Sequence, residues 1–208
     1  IAILDLNDAG EWYVLQSVKP NGMSSGVGAI FVTAIDWNHD GYDEIIAFSP
    51  EGDILRTQPF YNLGGELIVG KNQDTPIPGL DGLIPNAIST TDWDKDGLTD
   101  VLLPFYNGDI FALTLTDDFL SVEKLIIEGG PLSSMRVADF NQDAYDDLLL
   151  VSGDLNLLTL AHGSIDGLIE SEEYFSLEEK GARGSQIFSA LPIVIRGVYT
   201  GSVIAAGW

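Results

Sequence analysis

Residues 91–104 read TDWDKDGLTDVLLP, and two further stretches of the chain match this one without a gap. They are IDWNHDGYDEIIAF at residues 35–48 and ADFNQDAYDDLLLV at 138–151. The first acids of the three, Asp36, Asp92 and Asp139, lie 56 and 47 residues apart. Each acidic segment is followed by a short apolar run, a turn and a second run. The turns are Ser49-Pro50-Glu51-Gly52-Asp53, Tyr106-Asn107-Gly108-Asp109 and Ser152-Gly153-Asp154. Gly and Asn supply the positive-φ positions of a tight reversal, so each turn predicts a β-hairpin.

Working outward, a strand-like run precedes each acidic loop, at residues 29–35, 87–91 and 133–138, with a further one at 186–191. A more polar fourth run follows each hairpin, at 67–69, 120–127 and 173–177. Residues 1–4 with 12–18 predict another hairpin at the start, and 193–196 with 202–206 one at the end. Helical periodicity is poor throughout; only residues 168–180, with five Glu, fit either a helix or a strand. Four strands in each period of roughly 45–55 residues is the pattern of a β-propeller blade. A β-sandwich also has evenly spaced strands, but it gives no reason for one acidic loop to recur at one point of each unit. The fold expected is all-β, a β-propeller or part of one, in a single domain over residues 1–208. Its blades fall at about 28–82, 83–130 and 131–182, with partial blades at 1–27 and 183–208.

The loop pattern is D-x-[DN]-x-D-[GA]-x-x-[DE]. The first loop supplies Asp36, Asn38, Asp40 and Glu44, the second Asp92, Asp94, Asp96 and Asp100, the third Asp139, Asn141, Asp143 and Asp147. Oxygens at positions 1, 3, 5 and 9 can wrap a hard cation, and the position-7 carbonyls of Tyr42, Leu98 and Tyr145 complete the set. Oxygen donors without His or Cys favour Ca²⁺ over a transition metal, giving about three calcium sites. An EF-hand is excluded: it needs Glu at position 12, where this chain has Ala47, Leu103 and Leu150 in β-like runs. Position 6 requires an unusual backbone turn, which suits Gly41 and Gly97. Ala144 at that position in the third loop should carry about 1–2 kcal/mol of left-handed strain. The second loop, with four carboxylates and Gly97, should therefore bind tightest and the third weakest.

With these loops in view the chain resembles the FG-GAP or VCBS-type calcium-binding repeat, the blade of integrin-α propellers and of many bacterial surface and secreted proteins. The likeness is strong over residues 28–160 and rests on spacing alone at the two ends. Glu44 stands where the family has Asp, Ala144 where it has Gly, and the Phe-Gly and Gly-Ala-Pro signatures are not clearly present. The resemblance implies a scaffold stapled by structural calcium rather than a catalytic metal.

Composition narrows the function. The chain has 208 residues, 9 Lys plus Arg against 32 Asp plus Glu, and a formal charge of −23. Such a balance excludes a nucleic-acid backbone and an anionic membrane surface as partners. Hydrophobic residues at 45% and aromatics at 10% are too many for a disordered acidic tail. No apolar run approaches the roughly 18 residues needed to cross a bilayer, so no direct membrane insertion is expected. There is no cysteine, hence no disulfide and no thiolate chemistry. The only imidazoles, His39 and His162, are expected to be solvent-facing loop residues. No nucleophile motif or phosphate loop is present, and no acid pair stands out as a glycosidase pair. Trp37, Trp93 and Phe140 recur at loop position 2, as packing residues or a sugar platform, with packing favoured. Residues 71–85, rich in Pro and Gly, predict an inserted loop and the first place to look for a ligand.

The function expected is a non-catalytic, calcium-stabilised module for extracellular binding, adhesion or assembly. Its partner would be a protein or glycan, or a larger assembly of which it is a subunit or fragment. The alternative is the propeller portion of a secreted polysaccharide-degrading enzyme. Millimolar calcium outside the cell suits such sites, so a cell-surface, secreted or periplasmic protein is expected, exported by a signal before Ile1.

Overall fold

The computed structural model describes residues 2–17, 31–36, 40–63, 66–81, 83–115, 120–125, 130–152, 155, 157–165, 167, 169, 171–176, 187–195 and 198–207. For 2–6, 62, 115, 120 and everything from 171 onward it describes the backbone alone. The described residues form seventeen β-strands and no helix, so the chain is all-β. The strands pair into five open antiparallel sheets. Two compact units divide the chain, Ile1–Leu83 and Ile84–Trp208.

In the first unit β1 (Ala2–Leu6) pairs with β2 (Trp12–Ser17). The turn between them is held by Asn7 Oδ1, which accepts the N–H groups of Ala9 and Glu11 at 3.0 and 2.9 Å. A meander follows in chain order: β3 (Phe31–Ile35), β4 (Glu44–Glu51), β5 (Ile54–Leu63) and β6 (Glu66–Val69). Strand β4 reads EIIAFSPE, and its long apolar run matches an inner strand buried on both faces. Ile46, Phe48, Leu55 and Phe60 are fully buried there. Each such side chain withdrawn from water contributes about 1.5–3 kcal/mol.

The predicted loop at 71–85 is largely structured. β7 (Gln73–Pro76) pairs with the first half of β5, and Ile77 and Leu80 are buried. Asp53, in the β4–β5 turn, accepts Ile77 N–H on its carbonyl (2.7 Å) and Asp81 N–H on its side chain (2.9 Å). The segment is packed down because its apolar residues have a core to enter, which its Pro and Gly content conceals.

In the second unit β8 (Ser89–Thr91), β9 (Asp100–Pro104), β10 (Ile110–Leu115) and β11 (Leu120–Leu125) form one meander. β12 (Ser134–Ala138), β13 (Asp147–Ser152), β14 (Leu157–His162) and β15 (Ser171–Ser176) form the next. β9 and β13 are buried along their whole length, as their unbroken apolar runs require. One cluster joins both sheets: Trp93, Leu102, Ile110 and Leu125 pack with Met135, Leu148, Leu150 and Ala161. The ambiguous segment 168–180 is strand at β15, not helix. At the end of the chain the expected runs 186–191 and 193–196 are one strand, β16 (Ile187–Ile195), paired with β17 (Val198–Gly207). Nothing in the sequence between them breaks the strand, since Pro192 is accommodated within the pairing.

Candidate metal centre

Each acidic loop joins the first strand of a meander to its second, so the ninth-position acid opens a buried strand: Glu44 in β4, Asp100 in β9 and Asp147 in β13. All three acids are buried, at 2%, 0% and 0% exposure. The local wiring is the same in each loop. The position-1 carboxylate accepts the N–H of position 6: Gly41 to Asp36 (2.9 Å), Gly97 to Asp92 (3.2 Å) and Ala144 to Asp139 (3.0 Å). The position-5 carboxylate accepts the N–H of position 7: Tyr42 to Asp40 (3.0 Å), Leu98 to Asp96 (2.8 Å) and Tyr145 to Asp143 (2.8 Å). These Asx-type bonds bend the backbone, and position 6 sits at φ 89°, 92° and 76° in Gly41, Gly97 and Ala144. Ala144 thus adopts the left-handed conformation that its place in the motif demands.

The second loop gathers charge most tightly. Carboxylate oxygens of Asp92, Asp94 and Asp100 all lie within 4.8 Å of one another. Oxygens that share a calcium ion at 2.3–2.6 Å cannot be more than about 5 Å apart, so the three fit one ion. Asp100 Oδ2 accepts the Trp93 N–H at 2.7 Å, while Oδ1 of Asp100 and Oδ1 of Asp92 are buried with no hydrogen-bond partner. Burial, opposed by the Trp93 and Asp94 N–H groups and reinforced by the charges of Asp94 and Asp96, pushes the Asp100 carboxyl up to about 7. Burial likewise raises Asp94, with Asp96 and Asp92 adding to the effect. Buried acids held in this way need a counter-charge to ionise.

Among the described residues no other group of three acids or histidines converges in this way. In the first loop Asp36 and Asp40 make the bonds given above, and Tyr42 is exposed. Asn38, with Trp37 and His39, lies outside the described residues. Burial, then the charge of Glu44, raises the Tyr61 phenol, which places that ring near Glu44. In the third loop Asp139 also accepts the N–H groups of Gln142 (2.6 Å) and Asp143 (3.1 Å). Asn141 Nδ2 donates to Asp143 (2.8 Å), and its Oδ1 accepts Asp143 N–H (3.0 Å). Asp147 Oδ2 accepts Phe140 N–H (2.7 Å) and Asn141 N–H (3.2 Å), and its Oδ1 accepts Gly163 N–H (3.1 Å).

His162 departs from expectation. It is the last residue of β14 rather than a solvent-facing loop residue, its side chain is 11% exposed, and Nδ1 lies 3.3 Å from Asp147 Oδ1. The hairpin register puts it there, since Leu148 pairs with Ala161. That register was the available signal: aligning the two strands by their turn would have set position 162 opposite 147.

At loop position 2, Trp93 and Phe140 are both buried. The Trp93 indole N–H donates to the Gly167 carbonyl, and Phe140 packs with Leu149, Val151 and Leu158. Both act as packing residues. Asp146 ties the second and third loops together, accepting the Thr91 hydroxyl and pairing with Lys95 Nζ at 3.3 Å. No helix among the described residues is long and apolar enough to cross a membrane. No family model matches the chain, and no curated protein matches its sequence.

Proposed function

We propose that this chain is a calcium-stabilised β-module of the propeller type, built for binding or assembly outside the cell rather than for catalysis. One observation carries the reading. Asp92 and Asp100 each bury an unpartnered carboxylate oxygen in the second loop, within reach of Asp94. A buried charged carboxylate with one oxygen left without a donor is unfavourable unless a cation neutralises it. Calcium suits an all-oxygen set in a loop that is partly open to solvent. The consecutive four-stranded meanders of the chain support the propeller reading, with the acidic loop entering the second strand each time. The coordinating groups are protein oxygens that brace the start of β9, which makes the ion a staple and leaves it no evident substrate.

Calcium titration followed by thermal unfolding tests the proposal. Binding to the folded state alone adds about 2.7 kcal/mol at one hundred times Kd. A melting temperature unmoved between excess calcium and excess chelator refutes the calcium reading. Turnover of a polysaccharide by the purified chain, abolished by one carboxylate substitution outside the loops, refutes the non-catalytic one.

A further inference from the structure

Each ninth-position acid faces the end of the return strand of its hairpin. Val101 pairs with Leu113 and Leu148 with Ala161, so one step further along the register Thr114 faces Asp100 and His162 faces Asp147. The consequence for the two carboxylates is opposite. Asp147 accepts three backbone N–H groups, from Phe140 and Asn141 on Oδ2 and from Gly163 on Oδ1, and His162 Nδ1 lies 3.3 Å from Oδ1 and 3.3 Å from Asn141 Nδ2. Both of its oxygens are therefore covered by protein groups. Asp100 likewise accepts the backbone N–H groups of Trp93 and Asp94 but has nothing on Oδ1. Thr114, across the strand pair, makes no hydrogen bond to that oxygen.

We propose that the residue facing the ninth-position acid decides which acidic loop takes a divalent cation: Thr114 leaves Asp100 to calcium, and His162 closes the third loop in the cation's place. This rests on the calcium reading given above and deepens it, since it turns a strength ranking of the loops into a difference of kind. His162 sets its Nδ1 edge against both Asp147 Oδ1 and Asn141 Nδ2, two of the groups a cation would need. Asn141 agrees with a closed loop, because its Nδ2 is engaged with Asp143 and with His162 Nδ1, and its Oδ1 with the Asp143 N–H.

The experiment counts calcium equivalents by isothermal titration calorimetry on the full chain and its variants. Asp94→Ala should lose one equivalent and Asp143→Ala none. Thr114→His should lose the same equivalent as Asp94→Ala. His162→Thr should gain one, which Asp143→Ala in that background removes, whereas His162→Gln, keeping a donor, should gain none. A loss of one equivalent in Asp143→Ala overturns the inference while leaving the calcium reading intact. No loss in Asp94→Ala overturns the calcium reading of the second loop itself. Should the swaps fail to fold, the unaltered protein still decides: the His162 ring nitrogen resonances should keep their positions at saturating calcium, and a calcium-dependent displacement of His162 Nδ1 overturns the inference.

Discussion

Replacing Ala144 by glycine should stabilise the protein, and the reverse change at Gly97 should destabilise it by a similar amount. Both residues occupy position 6 of their loops, at φ 76° and 92°. A Cβ in the left-handed region is unfavourable by about 1–2 kcal/mol. Glycine removes that strain but enlarges the unfolded ensemble, a loss of about 0.4–1 kcal/mol. The net gain expected for Ala144→Gly is therefore about 0.5–1 kcal/mol. Gly97→Ala is the mirror image, and a clean one: a Cβ built there meets nothing within 4 Å, so only the backbone term acts. For a folding unit of order 100 residues these changes shift the melting midpoint by about 2–6 °C, upward for the first and downward for the second. Urea unfolding in the presence of chelator is the assay of choice, because it separates backbone strain from any effect of an ion. Destabilisation by Ala144→Gly, or no change with Gly97→Ala, refutes the reasoning.

The remaining predictions concern charge and packing. Without metal, the Asp100 carboxyl sits at about 7 in the fold against an ordinary 3.8, so folding favours its protonated form. Stability in chelator should accordingly rise by about 1 kcal/mol as pH falls from 8 to 6, and calcium affinity should fall about tenfold over the same range; urea midpoints and titrations that are flat with pH contradict this. Gly163→Ala should destabilise by about 2 kcal/mol or more, because a Cβ there would lie 2.1 Å from the Asp146 carbonyl oxygen, and backbone has to move; a wild-type urea midpoint contradicts it. Leu102→Ala, at a fully buried site, should cost about 2–5 kcal/mol, while Tyr106→Ala, 56% exposed, should stay within about 0.5; equal losses in chemical unfolding would remove the distinction.

Most strands were legible because their chemistry is local. The inner strands β4, β9 and β13 are short apolar runs bounded by an acidic loop and a turn, and each begins at the acid that ends its motif. Ala144 was legible for the same reason: the hydrogen bond from position 6 to position 1 fixes its φ within six residues of chain. What lay hidden depends on distance along the chain. Residues 73–76 look like a loop by composition, and only the edge offered by β5 makes them a strand. His162 sits 15 residues from Asp147 and reaches it through a pairing register that the motif itself does not encode. The one convergent triad among the described residues, Asp92, Asp94 and Asp100, likewise cannot be told from the other two loops by its pattern alone.

The division of labour inside the loop explains why. Positions 1, 5, 6 and 7 bond to one another and shape the turn in all three copies, whatever the ninth position does. A turn wired by its own Asp side chains does not need an ion to bend. The ninth acid is different, because it is carried into the core at the head of a buried strand and must be neutralised there by something. In β13 backbone N–H groups bond both oxygens of Asp147 and the His162 imidazole lies against one of them; in β9 one oxygen of Asp100 is left over. The motif therefore fixes the backbone, and the strand across the hairpin fixes the electrostatics. Where the two are set by different residues, similar loops can diverge in what they hold while keeping one shape.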